Sequence, residues 1–246
     1  MPRFARLRAL TLNIHKGRTG GRRRFMLAEL REAVRTAGAD LVFLQEVLGA
    51  SRADPVGRTG ASQYEYLADQ LWSDFAYGRN AANSGGHHGN AVLSRYPIQA
   101  WRNHDLSEPG HEPRGLLHCE IAVPGWPRLH ALCVHLGLRQ RHRDRQVGLI
   151  TGVVSALPHR EPVIVAGDFN DWRCRADHLL QRDAGLRSGF HAYEDGTPRT
   201  FPARFPLLRL DRIYLRALQA QNASVLSAAP WPHLSDHLPL LAEVAP

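Results

Sequence analysis

Polar side chains stand directly beside apolar runs at two places in the chain, which is where an α/β scaffold presents reactive groups. Gly167-Asp168-Phe169-Asn170 follows the apolar run 163–166, and Ser235-Asp236-His237 precedes the run 238–244. Asp168 and Asn170 can point into one pocket, and the second segment offers a carboxylate and an imidazole. Asp and Asn also favour turns, but a turn alone does not require the fully apolar strand before it. The two segments predict a polar site suited to binding cations and moving protons.

Four further polar residues end or interrupt apolar runs: Asn13, Glu46, His135 and Asp211. Glu46 closes the run 41–45, and its oxygens are of the kind that hard cations such as Mg²⁺ require. Asp211 stands inside the run 208–215, where a carboxylate is disfavoured unless a cation or a histidine is nearby. Taken alone, Asn13 is typical of a turn residue and His135 of a hydrogen-bonded core histidine. We interpret these positions, together with the two segments above, as one site.

The apolar pattern between these residues predicts short strands separated by helices. Strands are predicted at 7–14, 41–47, 75–78, 90–94, 98–103, 116–123, 128–135, 163–166, 212–215, 223–226 and 238–244. Helices are predicted at 22–37, 64–73, 139–157 and 171–182, with a loop at 49–63 and a hairpin turn at Gly125. We therefore expect a mixed sheet system covered by helices, in one domain spanning 1–246.

The composition is that of a globular protein, with 43% hydrophobic and 22% charged residues in a chain of 246. No apolar run approaches the length of a membrane-spanning helix. The run 7–14 is followed by no small-residue cleavage site, so it indicates a first strand and not a signal peptide. Cys119, Cys133 and Cys174 have no metal-ligand spacing and cannot form a full disulfide framework. We expect a reduced protein in the cytoplasm.

The net charge is +8, and Lys16 is the only lysine, so arginine supplies almost all of the positive charge. Such a balance favours anionic partners such as nucleic acid, phospholipid headgroups or nucleotides. Arginine can grip phosphate oxygens with two hydrogen bonds at once. A genome whose base composition favours arginine codons accounts for the same observation. Charge therefore indicates a phosphate-bearing substrate without identifying it.

In their order along the chain, these residues resemble the endonuclease/exonuclease/phosphatase superfamily, which includes DNase I, exonuclease III-like repair endonucleases, neutral sphingomyelinases and inositol-polyphosphate 5-phosphatases. The matching pieces are Thr11-Leu12-Asn13-Ile14, Gln45-Glu46, Gly89-Asn90-Ala91-Val92-Leu93-Ser94, His135-Leu136, Gly167-Asp168-Phe169-Asn170, Leu210-Asp211-Arg212-Ile213 and Ser235-Asp236-His237. They span nearly the whole chain, and Gly-Asp-Phe-Asn followed by Ser-Asp-His is the most specific part. The resemblance implies an α+β, DNase I-like four-layer αββα fold, in which helices flank two packed and mainly antiparallel sheets.

The resemblance also implies a role for each residue in the cleavage of P–O bonds with Mg²⁺ or Mn²⁺. Asn13, Glu46 and Asp236 are assigned to the metal. Asp168 orients or deprotonates the attacking water, and Asn170 holds that water and the phosphate. His237, oriented by Asp211, contacts the phosphate, and His135 stabilises the pentacovalent state. We further assign Asn90 and Arg114 to substrate binding, and we assign His15 and Lys16, where the chain departs from the repair endonucleases, to contact with a substrate phosphate.

The segment Ile14-His15-Lys16-Gly17 departs from the repair endonucleases, which carry an acidic residue near the position of His15, and it is similar to a bacterial branch of the superfamily. The chain also lacks an obvious long insertion for gripping duplex DNA, which puts a repair role in doubt. Nucleic acid is favoured as the substrate because Arg139, Arg141, Arg143 and Arg145 open the helix after His135. These arginines are equally typical of a solvated helix face.

A phospholipid, sphingomyelin-like or phosphoinositide substrate, with peripheral membrane contact, is the alternative. It depends on whether Trp126, Trp172, Phe205 and Trp231 face solvent, since ordinary packing would also explain them. A non-catalytic binding module on the same fold is a third hypothesis. It predicts loss of one or more catalytic residues, and the sequence shows none missing.

Overall fold

A computed structural model describes residues 6–19, 22–49, 61–68, 72–83, 86–191 and 196–246. Its strands are β1 (Leu7–Asn13), β2 (Arg18–Thr19), β3 (Arg22–Phe25), β4 (Leu41–Leu48), β5 (Asp74–Asn83), β6 (Gly86–Ser94), β7 (Ile98–Asp105), β8 (Gly115–Ile121), β9 (Leu129–His135), β10 (Val163–Asp168), β11 (Arg187–Ser188), β12 (Asp211–Arg216), β13 (Gln219–Val225) and β14 (Leu240–Ala245). Its α-helices are α1 (Leu27–Ala37), α2 (Gln63–Ala68), α3 (Gln140–Ser155) and α4 (Arg175–Ala184).

Two six-stranded sheets form the body of the fold, with orders β13-β14-β1-β4-β6-β5 and β11-β12-β10-β9-β8-β7. We call them sheet one and sheet two. Each has a single parallel pair at its centre, β1 with β4 in sheet one and β9 with β10 in sheet two. The remaining pairs in both sheets are antiparallel. The predicted mainly antiparallel two-sheet architecture is confirmed.

Alternation along the strands explains why the sheets pack as layers, since successive side chains of a strand point to opposite faces. In β1, Leu7 and Ala9 belong to the core between the sheets, whereas Leu10 and Leu12 pack with residues of α1 and α2. In β10, Ile164 lies in the core between the sheets and Val165 packs with residues of α3 and α4. Helices therefore cover the outer face of each sheet, which is the four-layer arrangement that the resemblance implied.

The helix predicted at 22–37 is only partly correct. Residues 22–25 form β3, which pairs with β2. The helix begins at Leu27, after Met26, whose φ of −128° is not helical. It buries Leu27, Leu30 and Val34 and ends at Gly38, whose φ of 65° stops it.

Two other predicted helices differ at their ends. The helix predicted at 171–182 begins only at Arg175, because Cys174 has a left-handed φ of 55°. The one predicted at 64–73 spans Gln63–Ala68, and part of the remainder lies outside the described residues. The loop predicted at 49–63 lies almost entirely outside them as well. The hairpin at Gly125 is confirmed by the antiparallel pairing of β8 with β9. Among the described helices, none is both long and apolar enough to cross a bilayer.

Candidate active site

The polar residues singled out above lie where rows of core-facing side chains end. Because alternate side chains of a strand point to the same face, each row lies between the two sheets and has a polar residue at the strand end. The rows are 7, 9, 11, 13 in β1, 129, 131, 133, 135 in β9 and 164, 166, 168 in β10; in β12 the row 211, 213, 215 begins with its polar member. Because Asp168 is in register with both His135 and Asp211, the polar residues of the rows in β9, β10 and β12 lie at the same edge of sheet two. The site therefore lies at one edge of the sandwich.

Asn13 joins the two sheets at this edge. Its Nδ2 atom lies 3.2 Å from Glu46 Oε1 and 3.2 Å from Asp168 Oδ2. Glu46 reaches this position through a break in the β4–β6 register between Leu44 and Val47, with a positive φ of 55° at Glu46 itself. Without that bulge, alternation would point Glu46 toward the helices. One amide donor thus connects carboxylates from different sheets.

Asp168 is 2% exposed, and each of its carboxylate oxygens has its own partners. Oδ1 accepts the backbone N–H of Asn170 at 2.9 Å. Oδ2 lies 3.5 Å from Nε2 of His135 and 3.8 Å from Nε2 of His237. Burial raises the pKa of Asp168, against a smaller lowering by the positive charge of His237. The result is a buried carboxylate with more affinity for protons than a solvated one.

Asp211 holds His237 from the other side. Its Oδ2 accepts from Nδ1 of His237 at 2.9 Å and from the hydroxyl of Thr200 at 2.5 Å. Burial works against a charged His237, but the charge and hydrogen bond of Asp211 outweigh it and raise the pKa of His237. The imidazolium is therefore the favoured form, and its Nε2–H points toward Asp168.

The surroundings of His135 favour its neutral form, in contrast to those of His237. Burial, followed by the positive charge of Arg114, lowers the pKa of His135 well below its usual value. Arg114 Nη1 lies 3.3 Å from His135 Nδ1, and its Nη2 lies 2.8 Å from Glu112 Oε2. A hydrogen bond with His88 and the charge of Arg114 hold the pKa of Glu112 at about 2. Arg114 is thus fixed beside the site with its charge in place.

His15 and Lys16 follow Asn13 in a tight turn with φ values of 45° and 57°. His15 Nδ1 lies 2.9 Å from Asp236 Oδ2, and this contact raises the pKa of His15. The charge of Lys16 is close enough to lower the pKa of His135 and of Glu112. His15, Lys16 and Asp236 therefore line the same edge as the carboxylates described above.

Asn90 and Asn170 are both buried, with their amides used differently. Asn170 donates from Nδ2 to the carbonyl of Leu136 at 2.9 Å, which leaves its Oδ1 as an acceptor. Asn90 donates from Nδ2 to Gly115 O at 2.9 Å and to Cys133 O at 3.3 Å, so it links β6 of sheet one to sheet two. It is 1% exposed, and its contact with substrate stays a prediction.

Two kinds of donor set could hold a metal at this edge. Among the described residues, Asp168, Asp211 and His237 form a group whose ligand atoms lie within 4.8 Å of one another. There, however, His237 is already hydrogen-bonded to Asp211. Asn13, Glu46 and Asp236 offer only oxygen ligands. Asn13 turns its Nδ2 to Glu46 and to the buried Asp168 carboxylate, and its Oδ1, which accepts the backbone N–H of His15 at 3.0 Å, is the atom that would bind a cation. That oxygen set fits a hard cation such as Mg²⁺ better.

Sequence reasoning missed two neighbours of this centre, Thr200 and Phe201. The Thr200 hydroxyl binds Asp211, and the Phe201 ring lies 4.9 Å from the His237 ring, centroid to centroid. Both lie in the loop between residues 192–195, which are outside the described residues, and β12. This loop has no apolar periodicity. Neither strand-end position nor motif distinguishes them, so the sequence holds no signal for them.

Comparisons with known proteins agree with this fold. The model of the Endonuclease/Exonuclease/phosphatase family matches residues 10–237. Over 241 residues the chain is 53% identical to "Uncharacterized protein YbhP" of Escherichia coli strain K12, across 96% of this chain and 95% of that one.

Solved structures show the same fold at lower identity. An endonuclease/exonuclease/phosphatase from Beutenbergia cavernae DSM 12333 has a TM-score of 0.79 at 22% identity, covering 97% of this chain and 71% of that chain. D. rerio TDP2 complexed with single strand DNA product has a TM-score of 0.74 at 17% identity, covering 98% of this chain and 100% of that chain. At these identities the two similarities concern the fold alone.

Proposed function

The chain belongs to the endonuclease/exonuclease/phosphatase family, and from that membership we propose that it is a divalent-metal-dependent phosphodiesterase. Membership supports the reaction class, hydrolysis of phosphoric esters. The observation that carries the proposal is one continuous set of side-chain contacts from Glu46 through Asn13, Asp168 and His237 to Asp211. Asn13, Asp168 and Asp211 stand at the ends of three strands, Glu46 at the bulge of β4 and His237 just before β14. No packing requirement would bring the two acids Asp168 and Asp211 and a histidine together in a buried place.

Asp168 acts on the attacking water. The pKa of Asp168 is raised above that of a solvated aspartate and so lies closer to neutral pH. A base is most effective when its pKa lies near the working pH. The backbone N–H of Asn170 fixes Oδ1, and Oδ2, which also accepts from Asn13 and faces both histidines, is the oxygen assigned to the water proton. The free Oδ1 of Asn170 positions that water.

His237 and His135 act on the phosphoryl oxygens. His237 is held as an imidazolium by Asp211, so its Nε2–H can donate to an oxygen that gains negative charge. Neutral His135 donates a hydrogen bond without adding a full charge. Lys16, His15 and Arg114 bind the remaining phosphate oxygens, and Asn90 supports this face from below.

Asn13, Glu46 and Asp236 hold the cation. When bound, Mg²⁺ or Mn²⁺ lowers the pKa of water and neutralises charge on the phosphoryl oxygens. Asn13 holds Glu46 within reach of Asp168, and His15 holds Asp236 in position. These contacts fix the oxygens before a cation arrives.

Surface exposure changes the weight of the two candidate substrate classes. Of the four arginines that favoured nucleic acid, Arg143 is buried and donates to the carbonyls of Gly137 and Leu138, and Arg145 pairs with Glu108. Of the aromatics that favoured lipid, Trp231 is buried and Trp126 packs against the core, whereas Trp172 and Phe205 are exposed. A lipid-linked phosphodiester is therefore retained as a second candidate beside nucleic acid.

Purified full-length protein tests the proposal. It should hydrolyse bis(p-nitrophenyl) phosphate in the presence of Mg²⁺ or Mn²⁺. EDTA should abolish turnover, and either metal should restore it, because the proposed ligands are all oxygens. Plasmid, single-stranded DNA, phospholipids and phosphoinositides assayed in parallel identify the substrate class. Full turnover after exhaustive chelation contradicts metal dependence, and binding without turnover of any diester supports the non-catalytic module instead.

A further inference from the structure

Large apolar side chains are exposed to solvent at several places on the surface. Among the described residues they are Phe75, Trp101, Leu138, Leu149, Trp172, Phe205, Leu207 and Leu208. Five of these lie in three loops, 136–141, 171–175 and 199–209, which together we call the apolar rim. Phe205 is 71% exposed and Leu138 is 69% exposed. Apolar area left in water is costly, so a cluster of this kind indicates a surface that is covered during function.

Strand register places the three loops of the apolar rim together. The first loop follows β9 after His135, the second follows β10 after Asp168, and the third leads into β12 at Asp211. Asp168 is in register with both His135 and Asp211, so all three loops leave sheet two at the edge that carries the site. The five exposed apolar side chains are therefore carried by segments that begin or end at the edge of sheet two where the site lies.

The charge of the apolar rim has one sign at the surface. Its exposed arginines are Arg139, Arg141, Arg173, Arg175, Arg199 and Arg204. The acid within these three loops is Asp171, which is 2% exposed and accepts the backbone N–H of Ala176. A covering partner must therefore be apolar and anionic together, which is the chemistry of a bilayer containing acidic phospholipids.

We propose that the apolar rim binds the surface of an anionic phospholipid bilayer, with Phe205 and Leu207 inserted among the acyl chains and the arginines at the headgroups. The inference rests on the proposed function, because it names where the phosphodiester substrate is presented. Single-stranded nucleic acid would also match the arginines, but it binds by stacking bases on rings. Leu138, Leu207 and Leu208 offer no ring, so aliphatic insertion fits this surface better.

Vesicle co-sedimentation tests the inference without turnover, using Asp168→Asn full-length protein in EDTA. This parent protein, in which every surface residue is unchanged, should bind phosphatidylcholine vesicles that contain phosphatidylglycerol. It should bind vesicles of pure phosphatidylcholine far more weakly. Phe205→Ser/Leu207→Ser should weaken binding at least tenfold. Trp101→Ser/Leu149→Ser is the matched control, because Leu149 is 52% exposed against 53% for Leu207 and both control residues line one groove of about 680 Å³ elsewhere. The control pair should bind like the parent protein.

Arginine variants separate the headgroup contact from general attraction by a basic protein. Arg139→Gln and Arg173→Gln should each weaken binding about fivefold, the effect expected for one basic residue at an anionic surface. Arg160→Gln is the control, since Arg160 is exposed in the loop that enters β10 from the opposite edge. Quenching of tryptophan fluorescence by brominated lipid should be lost in Trp172→Phe and retained in Trp101→Phe.

Three results would overturn the inference. The first is equal vesicle binding by Phe205→Ser/Leu207→Ser and its parent, and the second is an equal loss of vesicle binding in the control pair. The third is binding of oligothymidylate in place of vesicles, weakened to the same extent in Phe205→Ser/Leu207→Ser. Hydrolysis of bis(p-nitrophenyl) phosphate by Phe205→Ser/Leu207→Ser in the otherwise wild-type chain should match the wild type. If the parent protein does not bind vesicles while the wild type hydrolyses bis(p-nitrophenyl) phosphate, only the inference is contradicted. If the parent protein binds vesicles while the wild type hydrolyses no diester, only the proposed function is contradicted.

Discussion

Asp168 is constrained on both oxygens, by a backbone N–H on Oδ1 and by Asn13 together with two histidines around Oδ2. A residue held in this way loses little freedom when the reaction begins. Its side chain stands at the end of β10, where it makes polar contacts with Asn13, Asn170 and the two histidines. Substitution at this position should therefore change chemistry and leave folding intact.

Asp168→Asn keeps the shape of the side chain and removes its charge and basicity. We expect kcat to fall by at least ~100-fold with little change in KM, since general-base contributions are of this size. His237→Ala should cause similar loss, and the double variant should lose far less than the product of the two, because both residues serve one transition state. Steady-state kinetics on bis(p-nitrophenyl) phosphate, with circular dichroism as the folding control, measure this. Near-wild-type turnover in Asp168→Asn rules out the proposed role.

We infer that Thr200 positions His237 through Asp211, since its hydroxyl donates to the same Asp211 oxygen that accepts from His237. Thr200→Val removes the hydroxyl that anchors Asp211 Oδ2 and should lower kcat about tenfold, the equivalent of one hydrogen bond to a charged group. KM should change little, and Thr200→Ser should retain most of the rate. If Thr200→Ser is as slow as Thr200→Val at equal thermal stability, packing and not the hydroxyl explains the effect.

The parallel pairs β1–β4 and β9–β10 are the elements that build the site. Their carboxyl ends supply Asn13, Glu46, His135 and Asp168, and the two sheets meet face to face, so four strand ends converge at one edge. The antiparallel neighbours β12 and β14 then contribute residues where they begin. Each sheet thus brings its reactive groups together without any long connecting loop.

Much of this could be predicted from the sequence. Apolar runs located the central strands, and alternation within 129–135 or 163–168 already places His135 and Asp168 on the same face as the core residues before them. Glu46 could not be placed by alternation, because a bulge at that position reverses its direction. Residues 22–25 match helical spacing through Phe25 and Leu27, yet pairing with β2 makes them a strand. This pairing is local, and Gly20-Gly21 between the two short strands is a hairpin signal that the helical spacing obscured.

Gly167 allows β10 to pass close to β9 just before Asp168. A Cβ at this position would lie 1.9 Å from the carbonyl oxygen of Val134, and its φ of 149° is one that L-residues rarely adopt. Gly167→Ala should therefore destabilise the fold by about 3 kcal/mol or more, since the obstructing atom is backbone. Denaturant unfolding measures this against Gly110→Ala, a turn glycine with a positive φ of 73° and open space around it. A smaller loss in Gly167→Ala than in Gly110→Ala contradicts the prediction.

The acid stability of the whole molecule depends in part on His118, which is buried and favours its uncharged form. His118 Nε2 lies 2.8 Å from His130 Nδ1, and His130 Nε2 lies 2.6 Å from Glu161 Oε2, far from the site. Burial, followed by the charges of His130 and His104, lowers the pKa of His118 from 6.5 to about 4. Between these two pH values the unfolded chain binds a proton that the folded chain does not, so stability falls as the pH is lowered.

His118→Phe removes this titration. Its free energy of unfolding should depend less on pH between about 6.5 and about 4 than that of the wild type, whatever its stability at neutral pH. Urea unfolding at a series of pH values gives the slope. His159→Phe, at an exposed position, is the control that leaves the buried rings intact. An unchanged slope in His118→Phe shows that other groups control acid stability.

The pairing of β14 with β1 fixes when the protein can become active. Leu7 is opposite Val244 in sheet one, and the Ser235 hydroxyl donates to the carbonyl of Asn13 at 2.6 Å, although nearly the whole chain separates these residues. The ribosome synthesises β1 long before β14, the strand that pairs with one of its edges. Asp236 and His237 can join Asn13 only after the ribosome has released the segment that contains β14. A product cut short before residue 235 would therefore lack Asp236, His237 and the strand that covers one edge of β1.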